Sequence, residues 1–129
     1  MRNLDLLAAQ TAQQIIASTS DFKASEVDNL ATKALGVLQE NGVYAATLFL
    51  YSRSSRDAEI ASFVRQQLLS LAAQEVVKRP KPADQAQETL KFVTDHICND
   101  CNDLDILLLV KQLWEQTLIY VRYGAKARG

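Results

Sequence analysis

The residues that come nearest to a reactive site stand in the run Cys98-Asn99-Asp100-Cys101, with His96 two positions before Cys98. A zinc site here has three donors at most. A structural site takes four, and the chain holds no other cysteine or histidine to complete the set. As a redox pair the cysteines are badly placed. Active Cys-x-x-Cys thiols sit at helix N-termini, where the dipole favours thiolate. This pair instead follows a helical stretch and lies among Asp95, Asp100, Asp103 and Asp105, all of which disfavour it. The reading is two incidental thiols, with no metal site and no cofactor. Other enzyme signatures are missing too. Gly36, Gly42, Gly124 and Gly129 are isolated and build no phosphate loop. His96 has no nucleophile in its segment, and the carboxylates alternate with Lys, Arg and Gln as on a solvated surface. No catalytic residue is expected.

What remains is positive charge. Arg53 and Arg56 flank a serine-rich turn, and Arg65 lies one helix further on. Arg79 follows Arg65 by 14 positions, within about 40° of it on a helix. Lys78, Arg79 and Lys81 surround a proline turn, while Arg122, Lys126 and Arg128 gather near the C-terminus. Such side chains hold phosphates without reading sequence. Yet 14 Lys and Arg stand against 15 Asp and Glu, for a net charge of −1. A strongly basic, self-sufficient nucleic-acid binder is not what this composition suggests, and any phosphate-binding face needs an acidic face opposite it.

The elements that must carry these groups are helical. A chain of 129 residues, 48% hydrophobic and 22% charged, is one domain. It can bury about two-thirds of the surface its unfolded form exposes. Six Gly and Pro residues are too few for the turns of a sandwich or barrel. The longest apolar run, Ile106 to Val110, is five residues, far from the roughly 20 of a spanning helix. The first twenty residues mix Asp5 and several Gln with apolar groups, unlike a signal peptide. Two nearby cysteines make no disulfide framework. The expectation is a cytoplasmic protein with no membrane contact.

Six segments read as helices and none as a convincing strand. The first runs from about Asn3, a capping residue, to Ser18, with Leu4, Leu7, Ala8, Thr11 and Ile15 on one face. Ser25 and Asp28 read as a capping box opening the second, whose stripe is Val27, Leu30, Ala31, Ala34, Leu35 and Leu38; Asn41-Gly42 ends it. Val43 to Tyr51 leans towards strand by composition, but one strand has nothing to pair with, so a buried helix is predicted. The fourth starts near Asp57, carries Ile60, Val64, Leu68 and Leu71, and stops at Arg79-Pro80-Lys81-Pro82. The fifth runs from about Asp84 to Cys98 on Leu90, Val93 and Ile97. The last runs from a capping Asp103 through Leu104 to Tyr123 and ends at Gly124. It has two apolar stripes, one of Leu107, Trp114, Leu118 and Val121, the other of Ile106, Leu109, Leu113 and Tyr120. Such a helix is either the centre of a bundle or offers one face to a partner. The fold predicted is all-α: a compact, single-domain bundle of five to six helices over 1–129.

Three stretches together resemble a known family. Lys33-Ala-Leu-Gly-Val-Leu-Gln-Glu-Asn-Gly-Val-Tyr-Ala-Ala-Thr-Leu-Phe-Leu-Tyr-Ser-Arg53 joins a helix, an Asn-Gly break and an apolar helix ending near a basic residue. The closing helix carries Trp114, Tyr120, Arg122 and Ala125, and the opening helix Leu4, Ala8, Ala12 and Ile15. This is similar to the small α-helical subunit of the Cmr complex, the type III-B CRISPR effector; the small subunit of type III-A complexes shares its size and helical character. The chain departs from the family in reading Arg122-Tyr123-Gly124 where paired basic residues and Phe are common. The resemblance implies a non-catalytic, antiviral-defence subunit. It would stack with copies of itself along a repeated backbone subunit that holds guide RNA, and line the path of target RNA. On that reading the phosphate contacts are Arg53, Arg56, Arg65, Arg122 and Lys126. A helical adaptor using the second stripe of the last helix is the alternative from a different class.

Overall fold

The computed structural model describes residues 3–98 and 104–129. Helix α1 is Leu4–Ser18; Asn3 is extended, and its Oδ1 accepts the Leu6 N–H at 3.0 Å. It ends where the Thr19 N–H and hydroxyl both return to the Ile15 carbonyl, at 3.0 and 2.8 Å. Helix α2 is Ala24–Asn41, and its start corrects the capping box read from Ser25 and Asp28. The helix opens earlier: the Glu26 carboxylate accepts the Lys23 N–H at 3.2 Å, and Asp28 is taken up by Arg122 instead. Its buried face is the predicted one, from Val27 to Leu38.

Gly42 then turns the chain at φ +95°, ψ −173°, a conformation that residues with a Cβ rarely adopt. Its N–H closes α2 onto the Leu38 carbonyl and its own carbonyl opens α3 towards the Ala46 N–H, both at 3.0 Å. Helix α3, Val43–Tyr51, matches the predicted segment. Its strand-favouring composition is overridden because Val43, Ala46, Thr47 and Leu50 are buried at helical spacing. The buried Thr47 hydroxyl is satisfied within the helix by the Val43 carbonyl, at 2.9 Å.

Helix α4 is Ser55–Leu71 and runs on as a π-helix over Ala72–Val77. Lys78 closes it in the left-handed conformation, and the Arg79 N–H bonds the Ala73 carbonyl at 3.0 Å. Arg79 precedes a proline, which disfavours helix; it lies beyond the helix and so does not share a face with Arg65. Helix α5 is Ala86–Phe92 with a π-helical extension Val93–Ile97. It begins two residues after Asp84, because Gln85 is still extended, at φ −132° and ψ 137°. Its buried residues are Thr89, Phe92, Val93 and Ile97, with Leu90 only half-buried.

Helix α6, Leu104–Arg128, is the longest element and runs through Gly124, contrary to the predicted stop. Gly124 serves packing instead: a Cβ there would lie 3.1 Å from the Ile16 side chain on α1. The expected cap Asp103 lies outside the described residues. Among the described residues there is no strand; the six helices enclose one core, with α6 packed along both α1 and α2, and α4 closing over α1 and α3. The buried spiral of α6 is Val110, Leu113, Trp114, Thr117, Leu118, Val121 and Ala125; it takes Trp114, Leu118 and Val121 from the first stripe and only Leu113 from the second, while Leu107, Ile106, Leu109 and Tyr120 are half-buried. Trp114 is fully buried, and its indole N–H donates to the Leu68 carbonyl on α4 at 3.0 Å. Arg128, at the far end, donates to the Thr19 and Phe22 carbonyls at 3.0 and 2.6 Å, and so ties down the turn after α1. No described helix is long and apolar enough to cross a membrane.

Replacing Trp114 with Ala removes a core ring that also joins α6 to α4. Urea denaturation should show a loss of about 3–5 kcal/mol, whereas Leu104→Ala, at an exposed position, should change stability by less than about 0.5 kcal/mol.

Candidate nucleic-acid interface

The five arginines and lysines proposed as phosphate contacts do not form one patch. Arg56 and Arg122 reach the start of α2 from different sides, Arg56 to Glu26 (2.9 and 3.2 Å) and Arg122 to Asp28 (3.2 Å). Arg56 also lies over the Phe22 ring, 5.0 Å from its centroid. Its guanidinium holds the Glu26 carboxyl below the usual carboxylate range. Lys126, one turn beyond Arg122 on α6, lies 5.8 Å from the Tyr123 ring.

Arg53 and Arg65 stand at the end of α3. The Arg53 guanidinium stacks 4.1 Å above Phe49 and reaches the Ser52 hydroxyl at 3.2 Å, while its buried Nε has no partner. Arg65 stacks 4.1 Å above Tyr51 and forks onto Asp84 at 2.9 and 3.2 Å. The Tyr51 hydroxyl and Gln66 amide donate to the same carboxylate, at 2.9 and 3.3 Å, and Tyr51 also meets Thr89 at 2.7 Å. This network pins the proline loop to α3, α4 and α5. Three of the five proposed contacts therefore have their donors engaged by carboxylates, and such pairs position helices before they position a ligand. Among the described residues, Arg53 and Lys126 show no carboxylate partner.

The cations that stand clear are others. Lys78, Arg79 and Lys81 are exposed at the proline turn, with no ion pair among the described residues. The sequence showed this cluster, but nothing in it distinguished a free cation from one paired with a carboxylate 19 or more residues away.

The cysteine run gains nothing. Cys98 is half-buried at the C-terminal end of α5, and burial pushes its thiol up despite a hydrogen bond from the Tyr44 backbone. His96 packs edge-on against Phe92, ring centroids 5.1 Å apart. Cys101 lies outside the described residues. Among those described, no group of three or more His, Cys, Asp or Glu side chains converges as metal donors.

Two openings lie along the seam between α1 and α4, which run antiparallel. One, of about 570 Å³, sits between the end of α1 and the start of α4, with Phe22, Phe63, Arg56, Asp21 and Glu59 on its walls. The other, of about 330 Å³, lies further along and is walled by Gln10, Gln14, Gln67, Gln74, Thr11 and Ser70, with Glu75 as its one charged group. Of the adaptor stripe on α6, Leu113 is buried and Ile106, Leu109 and Tyr120 are half-buried, with Tyr120 on the wall of a third opening, of about 440 Å³, between α1 and α6 beside Ala12, Ile16 and Gly124.

No protein-family model matches the chain, and no curated protein and no solved structure matches it.

The Asp84 network carries a pH dependence with a definite sign. The hydrogen bonds from Arg65, chief among the causes, hold the Asp84 carboxyl below its ordinary value. Its contribution is therefore present above the unfolded carboxylate range, near pH 4, and is lost as pH falls through the lower folded value. Asp84→Asn should cost about 1 kcal/mol at neutral pH, a figure kept small by the partial exposure of the pair. Thermal unfolding followed from neutral pH to about pH 2 should bring variant and wild type together at the acid end.

Proposed function

We propose that this chain is the non-catalytic small subunit of a type III-B CRISPR (Cmr) ribonucleoprotein effector, stacked along the repeated backbone subunit and facing target RNA. The observation that supports the reading most directly is the junction at Gly42. The segment from Lys33 to Arg53, whose sequence carries the resemblance, folds as a helix, a left-handed glycine break and a short buried helix, and it ends with Arg53 stacked on Phe49. The all-helical bundle and its near-neutral charge suit a component whose neighbours supply most phosphate contacts.

Affinity purification from the native host tests the proposal. The tag belongs at the N-terminus, because Gly129 lies against Ala24 of α2 and Arg128 holds the turn after α1. Short RNAs of one common length, recovered with a repeated backbone subunit, are the expected result. Recovery of unrelated proteins without RNA would contradict it.

A further inference from the structure

We propose that the seam between α1 and α4 docks an extended, arginine-bearing peptide segment of another protein and seats its guanidinium against Phe63. The inference goes beyond the assembly reading above and needs no RNA.

Charge selects the class of occupant. Asp21 and Glu59 line the wider opening and Glu75 the narrower one, and among the described residues no lysine lines either. Arg56 is the one cation on these walls, and its guanidinium is already forked onto Glu26 at 2.9 and 3.2 Å. Among the described residues, Asp21, Glu59 and Glu75 make no ion pair. The seam therefore carries surplus negative charge, which repels phosphates and draws in a cation.

The molecule itself shows which cation such walls take. Phe22 and Glu26 together hold the Arg56 guanidinium, which lies 5.0 Å from the ring centroid. Phe63 and Glu59 supply the same two groups one turn apart on α4, and Asp21 adds a second carboxylate to the same opening. The Phe63 side chain is 37% exposed, and among the described residues no cation lies over its ring. A ring face beside carboxylates holds a guanidinium by cation–π attraction and charge-assisted hydrogen bonds together. Ser18 and Ser62 add hydroxyl oxygens that can accept its remaining N–H groups.

The rest of the seam suits a peptide backbone. Gln10, Gln14 and Ser18 recur at steps of four on α1, as do Glu59, Phe63 and Gln67 on α4. Each set is one face of its helix, so the walls continue from one opening into the other. A Gln carboxamide carries both a donor and an acceptor, the pair that each residue of an extended chain presents. From Leu7 to Ser18 the walls run ~17 Å at ~1.5 Å per residue, the length of about five extended residues. A lone small cation would fill only one end. Glu75, at the other end, meets a second basic side chain.

Fluorescence anisotropy of the full chain tests the proposal, at low salt and across a salt series. The probe is a labelled pentapeptide with arginine at both ends and alanine, serine and alanine between. Wild type should bind it, bind its lysine counterpart more weakly, and leave unbound the counterpart with neutral citrulline in place of arginine. Asp21→Asn/Glu59→Gln should weaken binding about tenfold at low salt and flatten its salt dependence. Phe63→Leu keeps an apolar side chain but loses the ring face, and should weaken binding about fivefold with the salt dependence kept. Glu40→Gln, the same loss of charge at an exposed site on α2, should bind as wild type does, and circular dichroism should show every variant folded. No binding by wild type, equal affinity for the citrulline peptide, or wild-type affinity in either the carboxylate or the Phe63 variant would overturn the proposal. Tighter binding of oligoadenylate than of the arginine peptide would overturn it too. Sedimentation velocity of the chain alone completes the test: self-association that is lost in Asp21→Asn/Glu59→Gln would give the seam to a second copy and overturn the partner peptide. The assembly reading stands apart from all of these outcomes, and the host purification judges it on its own.

Discussion

Trp114 has to be dry on every side and still hydrogen-bonded, and that double demand fixes where α6 can lie. An indole buried without a partner for its N–H forfeits the bond it made to water, a penalty of about 1–3 kcal/mol. Here the N–H meets the Leu68 carbonyl at 3.0 Å, so α6 must pass close to α4 at that level. With that point fixed, the spiral from Val110 to Ala125 falls against α1 and α2, and Gly124 lets α1 approach closely enough for Ile16 to pack. Arg128 then reaches the carbonyls left open after α1. One helix in this way fills the middle of the bundle and holds the C-terminal end of another.

A consequence reaches the surface. Because α6 takes the inner faces of α1 and α2, the outer faces of α1 and α4 meet only along a shallow seam lined by polar and aromatic side chains. The cations divide accordingly. Those facing other elements (Arg56, Arg65 and Arg122) are drawn into ion pairs that orient α2, α4 and the proline loop. Those beyond the last turn of the α4 π-helix, where no element packs over them, stay open to solvent. Near-zero net charge is compatible with a local cationic surface only because so many of the other charges cancel internally.

Most of the fold was legible in the sequence. The α2 stripe, the limits of α3 and the stop before Pro80 follow from spacing and from glycine and proline chemistry, which act within a few residues. Failures came where the deciding contact is remote. Gly124 reads as a stop until Ile16, over a hundred positions away, is seen to need its missing Cβ. Ser25 and Asp28 have the letters of a capping box, but Asp28 answers to Arg122. The candidate site suffered more. Arginine type and position mark a phosphate ligand in the sequence, whereas availability depends on carboxylates such as Glu26 and Asp84, 30 and 19 residues distant. The seam itself has no local signal, since its two walls are separate amphipathic helices whose polar faces look like ordinary solvated surface until they are set side by side.

Amide hydrogen exchange on Trp114→Phe, which keeps a buried ring and removes the N–H that meets Leu68, addresses the central claim most directly. The account predicts that protection falls together in α6, in α4 around Leu68 and in α1. A loss confined to α6 would contradict it.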